Sequence, residues 1–267
     1  MTTYWGCDCV AACSSSVGGT NLANYVINTY YGGSPHDQII YWGRYFDWRD
    51  ADTFIGDIEA TDLSHAVEAY ANPSGNRAWI APLCAPSSLS GGVGNPSGTT
   101  VGNFVCAKIA AHITSHLKMP GSQKLYVWLD VEPNEHVDAT FWSQFAAAVN
   151  NYYYTPSGNY PFYAAVYIRL TDPSVATIAS GGGCYAAWSQ QPQPSCSANG
   201  CNSPGPTWAG PSSPFSDGTL LWQYGEAGRC QTCRGNLPKV DLDSTNPAYN
   251  GPSGFSTCDN MLYVPPA

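Results

Sequence analysis

Leu125-Tyr126-Val127-Trp128-Leu129-Asp130-Val131-Glu132-Pro133 is the stretch on which the reading of this chain turns. Five apolar or aromatic residues run into two carboxyls, and a strand covered on both faces of a parallel sheet reads as such a continuous apolar run. Side chains alternate along a strand, so Asp130 and Glu132 share one face with Cα atoms about 6 to 7 Å apart, and Val131 points the other way. Two carboxyls held that close repel as anions, which raises one pKa and lets one group stay protonated as a general acid. Glycoside cleavage uses that division of labour. The competing reading has the pair satisfied by backbone amides or by an arginine such as Arg44. Unpaired charge at the end of an apolar strand is costly, and perturbed carboxylates collect at active sites, so the pair is read as catalytic. Pro133 stiffens the loop that follows.

Outward from this strand, apolar runs alternate with segments of helical periodicity. Strands are expected at Thr3 to Val10, Gln38 to Phe46, Arg77 to Pro82, Lys124 to Val131, Tyr160 to Ile168, Gly183 to Gln190, Gly218 to Tyr224 and Leu237 to Asp243. Helices are expected at Ile58 to Tyr70, Val101 to Leu117 and Asp138 to Tyr154, the last with an aspartate cap, and a short one opens at Asp172. No repeat or linker divides residues 1–267. The alternation predicts a single (β/α)8 TIM-like barrel with disulfide-stapled loops. In such a barrel the carboxyl ends of the strands meet at one face, where Asp8, Asp130, Glu132 and Asp241 converge.

Composition sets the surroundings. Hydrophobic residues make up 43% and charged residues 11%, against about 25% charged in an ordinary soluble domain, so neutral polar groups keep the chain in solution. The eleven cysteines predict an oxidising, extracellular setting. Cys196 with Cys201 and Cys230 with Cys233 are candidates for local staples, and the odd count leaves one thiol free. A zinc site at Cys7, Cys9, Cys230 and Cys233 is the lesser reading, because one of its pairs is only Cys-x-Cys. No apolar run approaches the roughly 20 residues that cross a bilayer. The first residues lack the basic and apolar regions of a signal peptide, so a mature, soluble chain is expected. A net charge of −9 removes the electrostatic basis for nucleic-acid binding. The chain is read as a monomer.

Nine tryptophans and eighteen tyrosines exceed what the core needs. Amphipathic rings can stack on sugar faces, and Trp42, Tyr45, Trp188 and Trp222 are the best placed, although packing alone accounts for any one of them. His112 and His116 have helical metal-pair spacing without the intervening glutamate of a His-Glu-x-x-His site. Serines abound, yet Ser180-Gly-Gly-Gly183 has its serine before the glycines and no Gly-x-Ser-x-Gly turn occurs, which argues against a serine hydrolase.

Trp128-Leu-Asp-Val-Glu132 resembles the Asp-x-Glu strand of the glycoside hydrolase family 25 lysozymes and their glycoside-hydrolase-like barrel relatives. Gly6-Cys-Asp-Cys9 resembles their first strand, Val166-Tyr167 their fifth, and Ala187-Trp188 the strand after it. Trp222-Gln-Tyr224 with Val240-Asp-Leu-Asp243 resembles their C-terminal pattern. The departures are the many cysteines, Cys7 between Gly6 and Asp8, and the excursion carrying Cys196 and Cys201. The resemblance implies that Glu132 protonates the glycosidic oxygen, that Asp130 stabilises the positive centre, and that the substrate's own N-acetyl group attacks. It implies substrate contacts at Asp8, Asp241 and Tyr167; Arg44, Trp188 and Trp222 are added from the strands. No metal or organic cofactor is required. The expected substrate is peptidoglycan or a related polysaccharide such as chitin, a muramidase being the favoured case. An inactive glycan-binding barrel is the alternative, and a secreted effector acting on a partner's wall would use the same chemistry.

Overall fold

Burial on both faces explains why the eight apolar runs become strands, and each does so in the order read from the sequence. In the computed structural model these strands are β1 (Trp5–Asp8), β2 (Ile39–Tyr45), β3 (Ala78–Cys84), β4 (Leu125–Val131), β5 (Tyr160–Ile168), β6 (Ala187–Gln190), β7 (Thr219–Gly225) and β8 (Asp241–Thr245). The structure describes residues 3–9, 11–17, 19–30, 39–46, 54, 56–68, 77–85, 96–113, 117–120, 122, 124–133, 135–155, 159–190, 207–225, 240–249 and 256–265. The strands close on themselves through neighbouring pairs β1 to β8, with β8 returning to β1. Closure leaves no exposed sheet edge within the ring.

The barrel is not the (β/α)8 TIM-like barrel expected from the alternation. β1 to β7 pair in parallel, but β8 runs antiparallel to both β7 and β1. Helices are α1 (Leu22–Asn24), α2 (Asp57–Glu68), α3 (Gly98–His112), α4 (Ala139–Asn150) and α5 (Ser174–Gly181). They follow β1 to β5, and among the described residues none separates β6, β7 and β8. Alternation of apolar and polar positions fixes which face a residue takes but carries no information on strand direction. A parallel crossover needs about a dozen residues, and the stretch between β7 and β8 is long enough for either direction.

The expected disulfide staples are also corrected. No disulfide occurs among the described residues; Cys7, Cys9, Cys13, Cys106 and Cys258 are buried thiols and Cys184 is half-buried. Cys7, Cys9, Cys13 and Cys106 fill the apolar layer between barrel and helices, where cysteine packs as a small hydrophobe. A cysteine count cannot separate that use from bridging. Cys196, Cys201, Cys230 and Cys233 lie outside the described residues.

Local signals fared better. Asp138 caps α4, its Oδ1 accepting from the Phe141 amide at 2.8 Å, and Asp172 Oδ1 accepts from the Ser174 amide at 2.8 Å where α5 begins. Helix α3 lies flush on α4 because Gly98 has no side chain: a Cβ there would sit 2.0 Å from the Phe141 carbonyl oxygen. No described helix is long and apolar enough to cross a membrane.

Two apolar clusters flank the sheet, one between barrel and helices and one inside the barrel, where Tyr41, Tyr126, Trp128, Tyr167 and Trp188 interlock. One end of the interior is plugged. There Lys124 forms an ion pair with Asp217, while its ammonium lies 4.7 to 5.2 Å from the ring centres of Tyr126, Tyr163 and Tyr185. Beside this plug the short antiparallel strand β9 (Leu262–Val264) pairs with the start of β3. The start of β3 is thereby taken up, and β4 joins β3 only at Leu83 and Cys84. The carboxyl ends of β1 to β7 lie at the opposite end.

Candidate active site

Strand alternation brings the acidic residues to that opposite end. Asp8 closes β1, Asp130 lies near the end of β4, and Glu132 follows β4 directly. Asp241 reaches the same end by a different route from the one expected: because β8 is reversed, its first residue stands opposite Asp8 in the ladder. The same reversal places Asp243 opposite Gly6 and Gln223, one step deeper and on the same face as Asp241.

Asp130 and Glu132 differ sharply in surroundings although they share a face. Asp130 is buried and accepts a hydrogen bond from the Tyr45 hydroxyl at 2.8 Å. Burial, and after it the Asp130 charge, push the Tyr45 hydroxyl well above its usual range, so it stays a donor. Glu132 is exposed. Its Oε2 accepts from Gln190 Nε2 at 3.1 Å, and its backbone amide donates to Glu135 Oε2 at 3.0 Å. One carboxyl is thus fixed inside the barrel and the other stands in solvent above it.

A second carboxyl pair lies beside the first. Asp8 and Asp243 are both buried and lie on adjacent strands, diagonal to each other on one face. Asp243 Oδ1 accepts from Trp188 Nε1 at 2.9 Å. Burial, together with mutual repulsion and the nearby Asp241, raises Asp8 well above the ordinary aspartate range. Burial likewise lifts Asp243, to about 7. Tyr167, paired with Asp130 and Trp188 across its two ladders, is buried and donates to Gln223 Oε1 at 3.1 Å.

Room for these groups comes from glycine. A Cβ on Gly43 would lie 2.6 Å from Asp8 Cβ and 2.6 Å from the Trp188 ring, and one on Gly6 would lie 2.3 Å from the Tyr41 ring. The missing side chains leave room for the Tyr41 and Trp188 rings inside the barrel.

The structure therefore gathers Asp8, Asp130, Glu132, Asp241, Tyr167 and Trp188 at one end, Trp188 as a buried positioning ring rather than an open stacking face. It does not bring Arg44 or Trp222 there. Arg44 points outward and is fully buried against Glu59 of α2, Nε to Oε2 at 2.9 Å. Trp222 packs in the outer layer between Trp208 and Tyr224, with ring centres 6.0 and 6.1 Å away. Trp42 joins the same outer layer. His112 packs edge-on against the stacked Phe46 and Phe54 rings, as an aromatic, and His116 lies outside the described residues. Among the described residues no group of three or more potential ligands could hold a metal ion. Sequence reasoning gave no role to Asp243, Gln190 or Gln223. The alternation that paired Asp130 with Glu132 also pairs Asp241 with Asp243, and could have found the first of these.

No protein-family model matches the chain, and no curated protein matches it. Among solved structures, an uncharacterized protein of B. stearothermophilus is similar over 97% of this chain and 99% of its own, with 16% identity and a TM-score of 0.56. That likeness is one of fold. The modular autolysin LytC from Streptococcus pneumoniae, solved with a synthetic peptidoglycan ligand, is similar over 91% of this chain and 47% of its own, with 11% identity and a TM-score of 0.44. The closed eight-stranded barrel is compatible with a glycoside-hydrolase-like fold.

Proposed function

We propose that the chain is an extracellular glycoside hydrolase, working as a monomer on β-1,4 links of peptidoglycan or a related N-acetylated polymer. The observation that carries this reading is the unequal pair at the end of β4: Asp130 buried under the Tyr45 hydroxyl, Glu132 exposed beside Gln190. Glycoside cleavage needs one carboxyl that reaches the leaving oxygen and one that stabilises charge at the anomeric carbon. Glu132 takes the first role and gives its proton to the glycosidic oxygen. Asp130, held in place by Tyr45, takes the second, and supports attack by the substrate's acetamido group. Asp8, Asp241 and Tyr167 line the same end and supply polar contacts to the sugar. The wall polymer itself comes from the resemblance of the strand motifs rather than from the geometry.

Release of reducing ends from purified peptidoglycan, measured from acidic to neutral pH, tests the assignment. Glu132→Gln is expected to lower the rate at least about 100-fold, the scale of a lost general acid, with binding to the polymer retained. A variant that cleaves at the wild-type rate would overturn the role given to Glu132. A wild-type chain that binds peptidoglycan or chitin but releases nothing would make the barrel a glycan-binding module instead.

A further inference from the structure

Asp243 is wholly buried and Asp8 is 6% exposed at the open end. They sit on adjacent antiparallel strands, diagonal on one face, since Gly6 stands opposite Asp243 and Asp8 opposite Asp241. Each retains a buried oxygen without a partner among the described residues, Oδ1 of Asp8 and Oδ2 of Asp243. A buried acceptor left without a donor costs about 1 to 3 kcal/mol, more when charged. Two carboxylates cannot satisfy one another, but one proton held between them is the donor that both lack. Trp188 pins the arrangement from behind through its 2.9 Å bond to Asp243.

We propose that Asp243 is a positioning residue that acts through Asp8: the two carboxyls hold a single proton between them, so that Asp8 meets the sugar as a neutral hydrogen-bonding group rather than as an anion. Only Asp8 reaches the open end; Asp243 fixes its protonation and its orientation. The dyad deepens the glycosidase reading and rests on it for the identity of the ligand alone. Among the described residues, the charged and titratable groups around it are Asp241 on β8, Cys7 and Cys9 on and after β1, Tyr41 and Tyr45 on β2, Asp130 with Glu132 at the end of β4, and Tyr167 on β5. Apart from the dyad they are further acids, phenols and thiols. None of them carries a positive charge that would hold both carboxyls ionised.

Carbon-13 NMR of aspartate-labelled full-length chain, titrated with pH in the wild type, Asp243→Asn and Asp8→Asn, tests the dyad without reference to activity. The Asp8 resonance, identified by its loss in Asp8→Asn, is expected to titrate well above ordinary aspartates in the wild type. In Asp243→Asn, which removes the neighbouring charge and offers an amide donor, its midpoint falls by about one pH unit or more. Should Asp243→Asn not fold, Trp188→Phe serves in its place: loss of the indole donor raises the midpoint of the pair. Wild-type Asp8 and Asp243 both titrating as ordinary carboxyls, or an Asp8 midpoint indifferent to these substitutions, would overturn the proposal. Where reducing ends are released, Asp243→Asn also moves the alkaline limb of kcat/KM to lower pH. Where the wild type releases none, the glycosidase reading fails while the titration still decides the dyad.

Discussion

Gly43 shows how closely a single residue is tied to the candidate site. Its Cα stands opposite Asp8 in the ladder, and a Cβ there would fall 2.6 Å from Trp188 and 2.6 Å from Asp8 Cβ. Neither neighbour is free to retreat, because the Trp188 indole is bonded to Asp243 and lies edge-on to Trp128 and Tyr167, with ring centres 5.9 and 5.1 Å away. Gly43→Ala is therefore expected to cost about 1 to 3 kcal/mol, the range for overpacking a filled interior. It should also change the near-ultraviolet circular dichroism of the displaced indole; urea unfolding and that spectrum check both, and an unchanged spectrum with unchanged stability would contradict the packing described. At this scale the sequence was partly legible. Alternation along Leu125 to Val131 located Asp130 and Glu132, but it could not show that Arg44 and Trp222 take the outward phase of their strands. Nor could it show that Trp188 is a positioning ring, because an aromatic residue on a strand has the same signature on either face.

Between elements, Arg44 and Glu59 join β2 to α2 through a fully buried ion pair. Arg44 Nη2 also donates to Glu59 Oε1 at 3.1 Å, its Nη1 to the Cys9 carbonyl at 2.6 Å, and Glu59 Oε2 accepts the Cys13 amide at 3.0 Å. The pair thus anchors Cys9 and Cys13 in the loop after β1, whose last residue is Asp8. Removing one member of such a pair strands the other charge, at a cost of about 3 to 5 kcal/mol. Arg44→Met should lose about that much in urea unfolding, and Arg44→Met with Glu59→Leu should recover most of it; equal losses in the single and double variants would show that the pairing is not what matters. All eight barrel strands were legible from apolar runs, as were the capped start of α4 and the opening of α5 after Asp172. The direction of β8 was not. Its ends also moved, from Leu237 to Asp243 as read to Asp241–Thr245 as observed. The ladders with Leu221 to Gly225 and with Trp5 to Asp8 fix that register, and the second joins residues so far apart in sequence that it leaves no local trace.

For the molecule as a whole, the two ends of the barrel carry opposite logic. Lys124 plugs one end and is matched by Asp217 within a cage of tyrosines, while the other gathers Asp8, Asp130, Glu132, Asp241 and Asp243. Burying the Asp8 and Asp243 carboxyls together opposes folding whenever both must ionise, and this sets a dependence of stability on pH. In the unfolded chain an aspartate titrates near about 3.9. In the folded chain burial raises Asp8 well above its usual range and Asp243 to about 7. Between those values the folded state binds more protons than the unfolded one, so its stability falls as pH rises. The contribution is complete below the unfolded value and is lost as pH passes through the folded values. The urea midpoint should accordingly be lower at pH 8 than at pH 5, by an amount on the order of a few kcal/mol in unfolding free energy. Asp8→Asn removes one of the two charges and leaves an amide to donate to Asp243, so it should raise stability at pH 8 and flatten the slope, even as it weakens any contact with a sugar. Such a gain in stability with loss of function is expected where acids are crowded for a task other than folding. A wild-type midpoint that rises from pH 5 to pH 8, or an Asp8→Asn slope equal to that of the wild type, would mean that the pair does not govern the balance.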